Sequence, residues 1–433
     1  MASGSQKPRP GRQVTFAAKS RWTLGETMKL KTVQVRMFRN ILDSTAVRID
    51  DKVTCIVGKN ESGKSAFLSA LWRLNPARTN PKFSSPQQYP AWLEKRHRNE
   101  GVKQTEVKPI EVTLEWELDD VKHVEEKFGQ SVVMAGAPLT LWMTYDNTYG
   151  WSNGVSEEQA LNNFLGTQEL PQADAKSCSE LRNFQALKEQ LTEAVKEHAE
   201  DGESLKAFAK ALDALNALIP DGKTFNSCMW ALAKARIPQF FYFAEYSKLP
   251  YSVKIKRVLK DKDLDGSEAT ARALLTLGGT EDDYILNPDY ERRKRELENV
   301  ANVLTEDVNA YWSQNQDLRV QPDITQVTEQ AQNGQQSVLD ELKLRIWDNR
   351  HSLSLPFNEH SAGFQWFFSF LAAFSEYEHR DPPVVILLDE PAVGLHAKAQ
   401  ADFLRFIEER LTKRSQVIYT THSPFMVQPG QLE

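Results

Sequence analysis

The sequence predicts an α/β protein with a mixed β-sheet core, an antiparallel side sheet and helical insertions. Three observations carry that reading. A glycine loop, "IVGKNESGKSAF" from Ile56, lies between an apolar strand and a segment of helical period. Two later apolar runs, "VVILLDEP" from Val384 and "QVIYTTHSP" from Gln416, end in polar side chains, as strands do that deliver chemistry to a sheet edge. Between these, "PIEVTLEWEL" from Pro109 and "PLTLWMTYD" from Pro138 alternate apolar and polar residues like half-buried antiparallel strands.

Taken along the chain, residues 1–27 are polar and basic and read as a disordered leader or tag. The stretch 28–154 reads as an N-terminal lobe: the strand "MKLKTVQVRMF", the strand "KVTCIV", the glycine loop, the helix "KSAFLSALWRL" and the side-sheet strands. Residues 155–235 are helical in period, as in "LRNFQALKEQLTEAVKEHA", and form a helical insertion. "IPQFFYFAEY" from Ile237 reads as a buried strand, so 236–263 returns to the core. Residues 264–330 read as a helical arm, with helices over 264–278 and 289–313 before the strand "LRVQPDI". The last lobe, 331–433, holds the strand "ELKLRIWD", a helix over 361–375, the strand "PVVILL", the helix "AKAQADFLRFIEERL" and the strand "QVIYTT".

Composition excludes several classes. With 40% hydrophobic and 26% charged residues the chain is of ordinary globular type. A net charge of −6 argues against coating nucleic acid along the whole surface. The basic runs 94–98, 254–260 and 292–295 read as solvated helix faces. No apolar run approaches the roughly 18–20 residues that span a bilayer, so no membrane association is expected. Three scattered cysteines make neither a disulfide framework nor a CxxC metal site, and a reducing cytoplasm is the simplest setting.

Gly58-Lys59-Asn60-Glu61-Ser62-Gly63-Lys64-Ser65 fits G-x-x-x-x-G-K-[ST]. The glycines let backbone N–H groups and a helix N-terminus face a phosphate. Lys64 is expected to reach the β- and γ-phosphate oxygens of ATP or GTP, and Ser65 to ligate Mg2+. The paired carboxylates end a central strand, with Asp389 toward Mg2+ and Glu390 toward an attacking water. His422 closes the next strand and is a candidate γ-phosphate contact. Ser361 and Gly363, in "HSAGFQWFFSF", open an aromatic-rich helix whose N-terminus is a second anion-binding element. "DKDLDGSEATAR" (261–272) mimics a calcium loop, but its twelfth position, which needs a bidentate glutamate, is Arg272, so it reads as a solvated acidic turn.

The order of these motifs (phosphate loop, long insertion, serine-glycine helix start, Asp-Glu strand, histidine) resembles the ATP-binding-cassette pattern. Phe38-Arg39-Asn40 and the Asn60 variant of the loop resemble the SMC/RecF branch. "LLDEPAVGLHAKAQ", "YTTHSPFMV" and "SAGFQWFFSF" resemble more narrowly the ATPase half of the OLD (overcoming lysogenization defect) family, which carries histidine at the position of His396. The resemblance implies an ABC-type P-loop ATPase head that hydrolyses ATP with Mg2+. It implies a head-to-tail homodimer or higher even oligomer in which Ser361 and Gly363 meet the γ-phosphate held by the other copy. Lys64, Ser65, Asp389 and Glu390 act in cis, His422 senses the γ-phosphate, and Arg39 adds positive charge nearby. Gln239, the nearest candidate for a Mg2+-holding glutamine, lies at a strand start rather than its end.

OLD proteins continue into a Toprim nuclease domain at about the point where this sequence reaches Glu433. The expectation is therefore a Toprim-type effector in trans, or in cis and lost by truncation, with no nuclease activity from this chain alone. DNA is then an indirect partner, and anti-phage defence the expected setting. Two alternatives stay open: a RecF/SMC-like DNA-repair ATPase, and a nucleotide-bound sensor scaffold with little turnover.

Overall fold

Strand β13 (Val385–Leu388) is buried at every residue, the signature of a parallel strand covered on both faces, and the rest of the molecule is arranged around it. The computed structural model describes residues 28–427, apart from 200–201, 245–246, 262–263, 278–284, 286–288, 316, 331–335 and 379. The expected leader, 1–27, lies outside the described residues.

In chain order the first lobe comprises β1 (Lys29–Phe38), β2 (Ile41–Asp43), β3 (Val47–Arg48), β4 (Val53–Val57), α1 (Lys64–Leu74), α2 (Ser85–Gln88), α3 (Ala91–Asn99), β5 (Ile110–Glu115), α4 (Leu118–Phe128), β6 (Pro138–Met143) and β7 (Tyr149–Asn153). Five helices follow: α5 (Glu157–Leu165), α6 (Gln172–Ser179), α7 (Phe184–Glu197), α8 (Gly202–Leu218) and α9 (Phe225–Arg236). The chain returns through β8 (Phe240–Phe243), β9 (Ser252–Lys254), α10 (Ile255–Lys260), α11 (Gly266–Leu275), α12 (Tyr290–Tyr311), β10 (Leu318–Gln330), β11 (Gln336–Asp348) and β12 (Leu353–Pro356). It closes with α13 (Ala362–Glu378), β13, α14 (Ala397–Glu409) and β14 (Val417–Thr421).

These strands make three sheets. The core sheet is parallel, in the order β4-β14-β13-β8. Its residues alternate between two hydrophobic clusters: Val385, Leu387 and Ile418 face the side with α1 and the side sheet. Ile386, Leu388 and Tyr419 face α13 and α14. The side sheet, β2-β1-β5-β6-β7 with β3 on β1, is antiparallel, and its register sets Val33, Val112 and Leu141 side by side on the inner face. The third sheet is a long hairpin, β10-β11, with β12 and β9 paired to the outer edge of β11.

Two segments differ from expectation. The strand expected through Leu118 stops at Glu115, because Glu117 and Asp120 form a capping box that starts α4 three residues later. The helices expected over 264–278 and 289–313 run from Gly266 to Leu275 and from Tyr290 to Tyr311. The strand expected at "LRVQPDI" is the start of β10, which runs on to Gln330 as the first strand of the hairpin. Asp265 of the calcium-loop mimic is the N-cap of α11, accepting from the Ser267 and Glu268 amides at 2.8 Å; residues 262–263 lie outside the described residues. Among the described residues, no helix is long and apolar enough to cross a membrane.

Candidate nucleotide site

Because the core sheet is parallel, the carboxyl ends of β4, β14, β13 and β8 lie along one edge. That edge brings Gly58–Ser65, His422 and Asp389-Glu390 together although most of the sequence separates them.

The loop after β4 turns through left-handed backbone at Glu61 (φ 63°) and at Gly63 (φ 98°), and α1 begins at Lys64. A Cβ on Gly58 would stand 2.7 Å from Ser62 Oγ, so a larger residue there would have to displace the Ser62 hydroxyl. The β1–β2 turn clips onto this loop: Asn40 Nδ2 donates to the Glu61 carbonyl at 2.8 Å. Arg39, at φ 53°, lays its guanidinium over the Phe38 ring, 5.5 Å from the centroid.

Lys64 is only 6% exposed. Its Nζ donates to the Gly58 and Lys59 carbonyls at 2.9 Å and pairs with Glu390 Oε1 at 3.3 Å. Glu390 Oε2 lies 3.2 Å from His422 Nδ1, so one carboxylate bridges the lysine and the histidine. Ser65 Oγ donates to Asp389 Oδ1 at 2.9 Å. Thr420 Oγ1 donates to the same oxygen at 2.8 Å, and Tyr242 Oη donates to Asp389 Oδ2 at 2.8 Å. Glu390 itself sits in left-handed backbone (φ 46°), and its N–H donates to Thr420 Oγ1 at 2.8 Å. A hydroxyl beside a carboxylate, all oxygen, is a donor set suited to a small hard cation such as Mg2+.

Residues 28–427 match the family described as the AAA ATPase domain. The chain belongs to that family. As an AAA ATPase domain it is a nucleotide-binding ATPase. A curated relative, "Uncharacterized protein MJECL43" of Methanocaldococcus jannaschii, is 37% identical over 83 residues, covering 17% of this chain. The match spans 21% of that relative's length. Among solved structures the AAA ATPase domain is similar to an SMC head bound to the C-winged helix domain of ScpA (14% identity, 92% of this chain and 90% of that chain, TM-score 0.37). It is also similar to the SMC head domain from Thermotoga maritima (12% identity, 92% and 91% covered, TM-score 0.33).

The other expected residues are arranged around this centre. Ser361 precedes α13 and its Oγ accepts from the Phe364 amide at 3.3 Å, an N-cap geometry. Gly363 is the second residue of α13 and lies against the loop that follows Glu390: a Cβ there would meet Leu395 Cδ2 at 2.0 Å. Among the described residues, neither is hydrogen-bonded to the phosphate loop of its own chain. His396 is the N-cap residue of α14, with Nε2 2.5 Å from Gln314 Oε1. Gln239 serves the backbone ladder, its carbonyl accepting from the Val385 N–H at 2.8 Å, at the opposite end of β8 from the carboxylates. A cleft of about 390 Å³ runs between the loop 391–397 and the segment 421–425.

Three participants were missed in the sequence. Thr420 and Tyr242 anchor Asp389, and Gln400 ties the two loops by donating to the Leu395 carbonyl (2.9 Å) and accepting from Ser423 Oγ (2.7 Å). Thr420 carried a usable signal, since it stands two residues before His422 in a strand that already points at the site.

Proposed function

We propose that this chain is an ABC-type ATPase head of the OLD kind that works as a homodimer or higher even oligomer in the cytoplasm and controls a DNA-directed effector. The effector is a Toprim-type nuclease, supplied in trans or on the same polypeptide, and the setting is anti-phage defence. The observation that carries the ATPase half is the paired arrangement Ser65–Asp389 and Lys64–Glu390–His422 at one sheet edge. The motif order and the loop and histidine sequences carry the narrower half.

Ser65 and Asp389 would hold Mg2+, which when bound would neutralise charge on the phosphate chain. Backbone amides of Gly58–Ser65 and the start of α1 bind the phosphates, and the Lys64 ammonium transfers from the Gly58 and Lys59 carbonyls to phosphate oxygens. Glu390 accepts a proton from the water that attacks the γ-phosphorus as the bond to the β-phosphate oxygen breaks. Its strained backbone and the Thr420 anchor hold that carboxylate at the edge. His422 donates an N–H to the γ-phosphate, Asn40 braces the loop, Arg39 adds positive charge nearby, and Ser361 and Gly363 of a second copy close over the nucleotide.

Glu390→Gln is expected to lower turnover by about 10²–10⁴-fold while retaining ATP and the dimer, and Lys64→Ala to abolish nucleotide binding. Purification of the Glu390→Gln chain from its native host with ATP and Mg2+ is expected to recover a stoichiometric nuclease. Recovery of DNA and the chain alone, with salt-sensitive DNA binding, would replace the effector reading with that of a repair ATPase. Normal ATP affinity in Lys64→Ala would remove the phosphate-loop assignment.

A further inference from the structure

We propose that Tyr242 is a positioning residue for the divalent cation, fixing the Asp389 carboxylate so that cation affinity, and not nucleotide affinity, depends on its hydroxyl. The inference deepens the reading of Ser65 and Asp389 given above and rests on it.

Strand β8 reads Phe240-Phe241-Tyr242-Phe243, so one hydroxyl stands in an otherwise phenylalanine run. Phe241 and Phe243 face the aromatic cluster of α13, with Phe370 at 6.4 and 5.4 Å between centroids. Tyr242 points to the other face of the sheet, where its ring stacks on Trp72 of α1 at 5.2 Å and 26°. Trp72 follows Ser65 by two helical turns, on the same side of α1. The register sets Tyr242 beside Leu387 on the parallel neighbour β13, two residues before Asp389. Packing alone would be served by phenylalanine at 242, as it is at the flanking positions. The hydroxyl instead donates to Asp389 Oδ2 at 2.8 Å.

Both carboxylate oxygens are thereby held by hydroxyls from three elements: Ser65 on α1 and Thr420 on β14 to Oδ1, Tyr242 on β8 to Oδ2. Without the Tyr242 hydroxyl only Oδ1 is held, and the torsion about the Cβ–Cγ bond loses one of its constraints. Outer hydrogen-bond partners of ligating groups typically set metal affinity by 10–100-fold. A loosened carboxylate penalises Mg2+, which demands near-ideal octahedral geometry, more than Ca2+, which tolerates irregular shells.

The test is Tyr242→Phe, which keeps the ring stack and removes one oxygen. Binding of a fluorescent ATP analogue is titrated with Mg2+ and then with Ca2+, beside a metal-free titration and a thermal melt. The expected result is a Mg2+ midpoint raised about tenfold, a smaller shift for Ca2+, and metal-free nucleotide affinity equal to that of the unmodified chain. A Mg2+ midpoint within about twofold of the unmodified chain, against the 10–100-fold usual for such partners, overturns the proposal. So does a matching loss of metal-free affinity, which marks a structural role. Asp389→Asn separates the two levels: if it moves the Mg2+ midpoint and Tyr242→Phe does not, only the role of Tyr242 fails. If neither moves it, the metal-site reading fails as well.

Discussion

Thr420→Val is an isosteric probe of how the strained Asp-Glu turn is held. Thr420 is fully buried, and its hydroxyl does two jobs: it donates to Asp389 Oδ1 at 2.8 Å and accepts from the Glu390 N–H at 2.8 Å. Valine keeps the shape and the β-branch but ends both bonds. Loss of a hydrogen bond to a charged group costs about 1.5–3 kcal/mol, lessened here because Ser65 and Tyr242 still donate to Asp389. Stranding the Glu390 amide costs a further ~1–3 kcal/mol. The left-handed φ of 46° at Glu390, which needs over-determination by its surroundings, loses one of its supports. Together these give about 2–4 kcal/mol of destabilisation, with Thr420→Ser recovering most of it. Urea unfolding at pH 7 reads the stability, and steady-state hydrolysis reads the turn, with kcat expected to fall while nucleotide affinity changes little. A Thr420→Val chain within about 0.5 kcal/mol of the unmodified one, the ordinary scatter of neutral surface changes, would refute the claim that this hydroxyl holds the turn.

Other outcomes follow from the same geometry. Gly363→Ala drives a methyl into Leu395 and is expected to cost about 1–3 kcal/mol as overpacking, whereas the same change made in a Leu395→Ala background, where the clash is gone, is expected to add little further loss in denaturant melts. Arg410 donates four hydrogen bonds at 2.6–3.0 Å, two to Glu378 of α13 and two to Asp307 of α12. Although burial opposes its charge, those partners push the guanidinium pKa further up. Arg410→Met leaves two part-buried carboxylates facing each other and is expected to cost about 2–4 kcal/mol, after discount for their partial exposure. Removing both carboxylate charges as well should restore most of that. Asp265 has a lowered pKa: burial, which raises it, is outweighed by bonds from the Glu268 amide and from the Ser267 hydroxyl and amide. The lowered folded-state value means its stabilisation is present above the ordinary aspartate range and is lost as pH falls through the folded pKa. Asp265→Ala is thus expected to cost about 0.5–2 kcal/mol at pH 7, with the gap to the unmodified chain closing in acid unfolding experiments.

The parts of the site that were legible in the sequence are those set by local rules. The glycine loop announces itself because only certain residues permit its backbone and phosphate chemistry, and the β13 and β14 runs because strands buried on both faces are continuously apolar. The capping box at Glu117 and Asp120 is equally local, yet the alternation running into it outweighs it, which is why the strand reading runs on to Leu118. The long hairpin was seen only as two separate strands, since a register of thirteen residues against thirteen is settled by pairing and not by either strand alone.

What the motif order could not supply is adjacency. That Glu390 bridges Lys64 and His422, and that Asp389 takes hydroxyls from Ser65, Thr420 and Tyr242, depends on the strand order β4-β14-β13-β8. Tyr242 and Gln400 have no local signature, because a tyrosine in an aromatic strand and a glutamine on an amphipathic helix are ordinary until a neighbour is known. Chemistry-bearing residue types are chosen by local backbone and donor requirements and so leave a mark in the sequence. Their mutual distances come from long-range packing of apolar faces, which many sequences satisfy and no short stretch of this one specifies.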